Sequence, residues 1–371
     1  MSAEPTVTPD ALAGRLFDAA VGAFDLLSVH IGDRLGLYRT LHGASATSSE
    51  LASRAGIHER YAREWLEHQA ASGILLVDDP SAPAGERRFQ LPAGHAEALV
   101  DPESPYSIAP LARSFAAAAG VLPQLLDAYR TGGGVAWSAY GTDMIEAQGD
   151  FNRPWLVRSL GSEYLPAIVD IDARLRAEPP ARVADVACGV GWAAISIARA
   201  YPNVRVDGYD LDESSIGLAR ANAEEAGLGD RVSFDVRDAG DPTAAETYDL
   251  AIMIEALHDL SNPVDALAAM RRMIVPGGAV VIADEKTGDA FSAPAEAVER
   301  FFYGFSLLCC LPAAMTDQPS AGTGAVMRSG TVRQYAAAAG FGSVEVLDLE
   351  HDTLRFYRLA TQAQALTPGQ P

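Results

Sequence analysis

The sequence has 371 residues, which at about 150 residues per domain allows roughly two to three domains and excludes a single small module. Its 28 basic residues against 49 acidic ones leave a formal charge of −21, a balance that opposes polyphosphate backbones and anionic membrane surfaces, so nucleic acid and lipid headgroups are excluded as first partners. With 49% hydrophobic and 21% charged residues the chain can bury a full core, and global disorder is excluded.

Met1–Asp10 carries Glu4 and Asp10 and no basic residue before an apolar run, so no secretory signal is expected. From Ala11 to Leu41 the residues Leu16, Ala20, Phe24, Leu27 and Ile31 fall at helical spacing, with Gly32 and Gly36 read as breaks. Thr47-Ser48-Ser49-Glu50 offers an N-cap and an early acid for a helix through Ala55, and His58–Ser72 reads as a second helix ending at Gly73. Ile74–Val77 and Arg88–Leu91 read as strands around the turn-rich segment Asp79–Gly85, so residues 1–100 predict a winged helix. Residues 101–178 predict a helical connector or lid. It is interrupted by Thr131-Gly132-Gly133-Gly134, a hinge or a plain loop break, and carries Trp137, Tyr140, Phe151, Trp155 and Tyr164.

Pro179-Pro180 marks the next boundary, and residues 179–360 alternate strands and helices in the manner of a parallel α/β sheet. The strands fall at Arg182–Ala187, Val204–Asp210, Val232–Arg237, Leu250–Ile254 and Ala279–Asp284, with helices at about Trp192–Ala200, Glu213–Ala226 and Pro263–Ile274. Val344–Leu349 and Thr353–Leu359 are joined by so short a link that they must pair antiparallel. Residues 361–371 are expected to be a frayed tail. The longest mostly apolar stretch, Phe301–Met315, falls short of the ~20 residues that span a bilayer, so no membrane crossing is expected. Three cysteines, Cys188, Cys309 and Cys310, have no stapling pattern and fit a reducing cytoplasm. No metal-ligand spacing stands out, and nothing in the spacing groups these cysteines with the histidines.

Asp185-Val186-Ala187-Cys188-Gly189-Val190-Gly191 follows an apolar strand and opens a helix, where small residues let a ligand approach the backbone. Asp210 ends the next strand, placed to accept hydrogen bonds from two ribose hydroxyls. Gly189-Val190-Gly191-Trp192-Ala193-Ala194 also satisfies G-x-G-x-x-A, which opens a nicotinamide-dinucleotide reading. Three features weigh against it: the acid Asp185 ahead of the loop, bulky Trp192 where a pyrophosphate needs room, and the antiparallel terminal hairpin. Asp238 ends the third strand with an acid suited to an adenine amino group, and Glu255-Ala256-Leu257-His258-Asp259 ends the fourth.

On these motifs the chain resembles the class I S-adenosylmethionine-dependent methyltransferases over about Pro179–Leu359. The resemblance implies a Rossmann-like α/β fold, a seven-stranded sheet with an antiparallel last strand, preceded by the winged-helix domain. It also implies donor contacts at Asp185, Ala187, Gly189, Gly191, Asp210, Leu211, Asp238, Ala239 and Glu255. Ala187 departs from the family, which usually has its first glycine there. The N-terminal half is similar to small-molecule O-methyltransferases, which implies a homodimer through that domain, with Phe17, Val21, Leu26 and Leu27 suited to a self-complementary interface. A sulfonium cation, unlike a dinucleotide, is compatible with a pocket of carboxylates.

The expected chemistry is in-line methyl transfer to a hydroxyl of a small molecule, with most of the acceleration coming from orientation. The resemblance places His258 as a general base oriented by Asp259, or as a packing residue, with Glu285 as a second candidate base. The aromatics Trp137, Tyr140, Trp155, Phe301, Phe302 and Phe305 read either as a lid over a planar or apolar acceptor or as core. Three alternatives remain open: an NAD-dependent oxidoreductase, a ligand-sensing winged-helix regulator, and a methyltransferase fold that uses S-adenosylmethionine without transferring methyl. Against the regulator, His58–Ser72 carries Arg60 and Arg63 but also Glu59, Glu64 and Glu67, the wrong sign for phosphate.

Overall fold

In the computed structural model, which describes residues 8–241 and 245–361, the chain divides into two units, Met1–Ala117 and Ala118–Pro371. Of the expected tail, all but Thr361 lies outside the described residues.

In the first unit the Thr8 hydroxyl accepts from the Ala11 amide and starts a helix, Pro9–Arg34. The expected break at Gly32 does not occur. A Cβ there would sit 2.5 Å from the Trp65 ring and 2.6 Å from Tyr38, so this glycine serves close packing, and the turn comes at Gly36 with φ +64°. The Thr47–Glu50 signal gives a reciprocal cap: Glu50 N–H donates to Thr47 Oγ1 (3.3 Å) and Thr47 N–H to Glu50 Oε2 (3.1 Å), opening helix Ser48–Ala55. A second helix, Glu59–Ala71, follows, and then the short antiparallel pair β1 (Leu76–Val77) and β2 (Phe89–Gln90), two residues each where four were expected. Arg88 beside β2 reaches back to Glu50 at 2.7 Å, tying the wing to the helix cap.

The second unit is built on seven strands: β3 (Arg182–Val186), β4 (Arg205–Asp210), β5 (Val232–Val236), β6 (Tyr248–Ile254), β7 (Ile274–Glu285), β8 (Ser343–Val346) and β9 (Leu354–Ala360). They lie in the order β5-β4-β3-β6-β7-β9-β8. The first five are parallel, and β9 pairs antiparallel with both β7 and β8. Val183, Ala184, Val186, Ala251, Met253 and Ile282 are buried. Continuous apolar runs of this kind are what a sheet covered on both faces requires. β3 has β4 on one side and β6 on the other, so the chain reverses its direction of travel across the sheet at β3. The crevice beyond the strand ends at such a point is where open α/β sheets bind ligands.

Most of the segment read as a connector belongs to this second unit. Helix Gly141–Trp155 passes into a π-helical stretch, Leu156–Tyr164, whose Leu156 and Leu160 join the core cluster with Val183 and Ile195. The Gly132–Gly134 run is no free hinge: a Cβ on Gly134 would lie 2.4–2.5 Å from the backbone of Pro312–Thr316, and Val135 N–H donates to Pro312 O at 2.9 Å. Tyr140 is buried and its hydroxyl donates to Leu308 O at 2.7 Å. The Trp155 ring meets Tyr164, His351 and Phe356 edge-on, so these aromatics are packed rather than poised to move. Among the described residues one helical stretch, Ala297–Ala314, is long and apolar enough by length and composition to cross a bilayer. It exceeds the Phe301–Met315 run read from the sequence, and here Phe302, Ser306, Cys309 and Ala314 bury part of it in the fold.

Candidate active site

The carboxyl ends of β3, β4, β6 and β7 bring together most of the residues singled out in the sequence. After β3 the backbone turns at Ala187, whose φ of +58° is a left-handed conformation that a residue with a Cβ adopts at a cost of about 1–2 kcal/mol. This is the position where the resemblance called for glycine. Gly189 and Gly191, with φ +53° and +84°, complete the loop, and helix Trp192–Ala200 begins at once. Trp192 is buried at that helix start with the Arg153 guanidinium 4.2 Å over its ring.

Two acids bond this loop and the helix it opens. Asp210 at the end of β4 accepts from Gly189 N–H (2.8 Å) through one oxygen and from Asp212 N–H (2.9 Å) through the other. Burial raises its carboxyl above the ordinary range. Asp185, buried at the end of β3, accepts from Ala194 N–H in the first turn of the helix (3.1 Å). Burial pushes it up to about 7, against the lowering effect of that hydrogen bond.

Asp185 carries a prediction. Its folded pKa of about 7 exceeds the ~4 of an unfolded carboxyl, so between those values the folded state holds a proton that the unfolded chain has lost. The stability this group contributes therefore falls as pH rises through that window and is constant on either side of it. Asp185→Asn keeps an acceptor for the Ala194 amide and is expected to remove the fall, matching the parent near about pH 4 and exceeding it by about 2–4 kcal/mol near about pH 8. Urea unfolding at the two pH values checks this, and parallel pH profiles would rule it out.

Beyond β6, Glu255 also takes a left-handed conformation, φ +50°, with its amide held by Ala283 O at 2.8 Å. Its Oε2 accepts from Gln148 Nε2 (2.9 Å) and Asn152 Nδ2 (2.5 Å), both on the helix Gly141–Trp155, and burial raises its carboxyl. The sequence reading did not single out Gln148 and Asn152. Two amide side chains four residues apart share a helix face, which is the signal that marks them.

His258 is 2% exposed and surrounded by acids. Its Nδ1 hydrogen-bonds Asp284 Oδ1 at 2.8 Å, with Glu285 Oε2 2.9 Å away, and its Nε2 lies 3.1 Å from Asp259 Oδ1. Burial opposes the imidazolium, but Asp259, Asp284 and Glu285 together outweigh it and hold the ring's pKa well above the usual value. Burial would raise Asp284, yet the imidazolium brings it below the ordinary range, while burial drives Glu285 far above it. The ring is thus held between Asp284 on Nδ1 and Asp259 on Nε2, with both nitrogens facing carboxylates. Cys310, absent from every site reading of the sequence, arrives from a π-helical stretch, Ser306–Cys310, to place a ligand-type atom within 4.8 Å of those of His258 and Asp259.

Asp238 turns its Oδ1 back onto Gly240 N–H (2.7 Å) on the exposed loop after β5, Ala239 packs against the core cluster that includes Leu257, and Leu211 is 65% exposed.

A seven-stranded sheet with β9 inserted antiparallel between β7 and β8, a glycine loop after β3 and an acid ending β4 together define the class I methyltransferase fold. Residues 183–278 match the methyltransferase domain family and residues 23–100 the Rv2258c-like winged HTH domain, so the chain carries a methyltransferase domain preceded by a winged-helix domain. Among curated relatives it is 31% identical over 141 residues to norajmaline N-methyltransferase of Rauvolfia serpentina (36% of this chain, 48% of that one). It is 32% identical over 133 residues to O-methyltransferase resE of Aspergillus sclerotiorum (36% and 50%), so the chain spans about half the length of these relatives. Among solved structures, an O-methyltransferase family protein from Burkholderia thailandensis superposes with TM-score 0.67 at 19% identity, covering 96% of this chain and 100% of that one. Human N-acetylserotonin methyltransferase superposes with TM-score 0.67 at 16% identity, covering 97% and 99%. These likenesses establish the fold.

Proposed function

We propose that the protein transfers a methyl group from S-adenosylmethionine to the hydroxyl of a small-molecule acceptor, acting as a homodimer in a reducing cytoplasm. The observation that carries the reading is Asp210. Its carboxylate is fixed against the glycine loop at the ligand-binding edge of the sheet by Gly189 N–H, with lone pairs left over for ribose hydroxyls. The residues present fit the donor. A side-chain atom added at Gly189 would meet nothing within 4 Å, so the loop faces open space, and the acids Asp185, Asp210 and Glu255 suit a cationic ligand. Asp210 would hold the ribose, Asp238, Ala239 and Leu211 the adenine side, and Gly189 and Gly191 the chain between, with Glu255 toward the amino-acid end. When bound, the donor supplies an electrophilic methyl on a sulfonium.

The chain's own contribution is orientation, which suffices for an in-line displacement once the nucleophile is held ~3 Å from the methyl carbon. His258, charged and locked to Asp284, positions the acceptor side of the site rather than taking a proton. Oxygen as the acceptor atom is supported by the resemblance of both halves to small-molecule O-methyltransferases. The rival dinucleotide reading is disfavoured by bulky Trp192 at the helix start and by the antiparallel β9, and the regulator reading by the winged domain's helix, whose Arg60 and Arg63 are paired with Glu64 and Glu59 of the same helix. Support for a dimer comes from helix Pro9–Arg34, where Leu16, Phe17, Val21, Phe24 and Leu27 form an exposed apolar stripe of the kind a second copy would cover.

Calorimetric titration with S-adenosylmethionine tests the reading. The parent is expected to bind, and Asp210→Ala to bind about 1–3 kcal/mol more weakly, roughly fivefold to 150-fold. Circular dichroism establishes that the variant is folded. Unchanged affinity would refute the ribose assignment, and no uptake by the folded parent would refute the function.

A further inference from the structure

We infer that Gln148 and Asn152 are positioning residues for the donor: together they fix the Glu255 carboxylate through Oε2, so that its Oε1 receives the α-ammonium of S-adenosylmethionine. This rests on the methyl-transfer reading for the identity of the ligand, and it adds to that reading the residues that select the donor's amino-acid end.

The sheet sets the direction in which the donor lies. Asp210 ends β4 and Glu255 follows β6, the two strands that flank β3 and its glycine loop. A ligand that crosses this crevice with its ribose on Asp210 brings its other end toward β6, where the Glu255 amide is pinned to Ala283 O at 2.8 Å.

Helix Gly141–Trp155 is seated on the same loop. A Cβ on Gly149 would overlap the Val190 side chain, and the Arg153 guanidinium lies 4.2 Å over the Trp192 ring. Gln148 and Asn152, four residues apart on this helix, donate to Glu255 Oε2 at 2.9 and 2.5 Å, which leaves the lone pairs of Oε1 for a ligand. The Asn152 amide is held in one sense. Its Oδ1 accepts from Trp155 Nε1 at 3.0 Å, an indole N–H that can only donate, so the amide nitrogen is the atom left to face Glu255. Trp155 is itself fixed by edge-on contacts with Tyr164, His351 and Phe356.

Neutral amides suit this task where a basic side chain would not. An arginine in their place would neutralise the carboxylate, whereas Gln148 and Asn152 fix its direction and leave its whole charge for a cationic group. Burial opposes the ionised form of Glu255, as do Asp284 and Asp259, while the Asn152 hydrogen bond and the His258 charge favour it.

The test is calorimetric titration of the full chain with S-adenosylhomocysteine, which carries the amino-acid end, and with methylthioadenosine, which lacks it. The parent is expected to bind both, the second more weakly. Asn152→Ala and Gln148→Ala should each weaken S-adenosylhomocysteine about fivefold or more and leave methylthioadenosine within about twofold of the parent. Glu255→Gln should show the same selective loss. Adding Asn152→Ala to Glu255→Gln should then cost little more, because the charge through which Asn152 acts is gone. Melting curves establish that each variant is folded, and Gln148 is only half-buried, so its variant carries the test should Asn152→Ala not fold. Unchanged S-adenosylhomocysteine affinity, equal losses for the two ligands, or an undiminished Asn152→Ala effect in the Glu255→Gln background overturns the inference. A parent that binds neither ligand overturns the donor reading, and the inference with it.

Discussion

Replacing His258 by alanine is expected to cost about 3–5 kcal/mol of folding stability, the range for removing one partner of a buried charge pair. The size follows from what is left behind. Asp284 is 1% exposed and its Oδ1 hydrogen-bonds only the imidazole side chain and the Glu285 amide, while Glu285 and Asp259 crowd the same ring. Without the imidazolium, Asp284 must either protonate or stay charged and unsolvated, and both cost free energy. Urea denaturation of parent and variant measures the difference, and a loss below about 1 kcal/mol would mean that the acids share their charge in another way. His258→Ala, Asp284→Ala and the double variant then apportion the cost. If the pair is the source, the two single effects fall well short of adding.

The same geometry bears on chemistry. A histidine whose pKa is held well above its usual value stays protonated through neutral pH, so kcat/KM for a hydroxyl acceptor should show no inflection belonging to a histidine of ordinary pKa. An inflection there that disappears in His258→Asn would restore the ring as general base.

How far the site was readable from the sequence depends on where each residue's partners lie. The sheet was readable because its parallel strands are nearly unbroken apolar runs: Arg182–Ala187 and Val204–Asp210 were expected within one residue of β3 and β4. Asp210 was readable because both the loop it supports and the strand it ends are local patterns. Asp284 was not. Both Asp284 and Glu285 end against the imidazole Nδ1, at 2.8 and 2.9 Å, and no local pattern links the end of β7 to a histidine 26 residues earlier, so only Glu285, read as a second candidate base, was singled out. Cys310 was hidden for a different reason: a π-helical stretch shifts the angular register, so helical spacing misplaces every side chain beyond it. Gly32 and Gly134 look like chain breaks by type, and only the fold reveals that what they provide is room for Trp65 and for the Pro312–Thr316 backbone.

Gly191→Ala is expected to destabilise the second unit by roughly 2–5 kcal/mol and to abolish donor binding, the largest effect of any single added carbon in the ligand loop. Two costs add. The φ of +84° is left-handed, worth about 1–2 kcal/mol against a residue with a Cβ. The new carbon would also lie 2.5 Å from Phe234 Cζ and 3.1 Å from Ala219 Cβ, an overpacking of about 1–3 kcal/mol. Phe234 is 3% exposed within the core cluster, so its ring cannot swing aside, and relief must come from the loop that carries Gly189 onto Asp210. Ala187 is the natural contrast. It bears its own left-handed strain at φ +58°, so Ala187→Gly relieves about 1–2 kcal/mol in the folded state while giving back about 0.4–1 kcal/mol through a freer unfolded chain. The net change should lie between about 0 and 1.6 kcal/mol in favour of the variant. Thermal unfolding and donor titration of both variants decide the matter: if Gly191→Ala melts and binds as the parent does, the loop is not held against the sheet by Phe234.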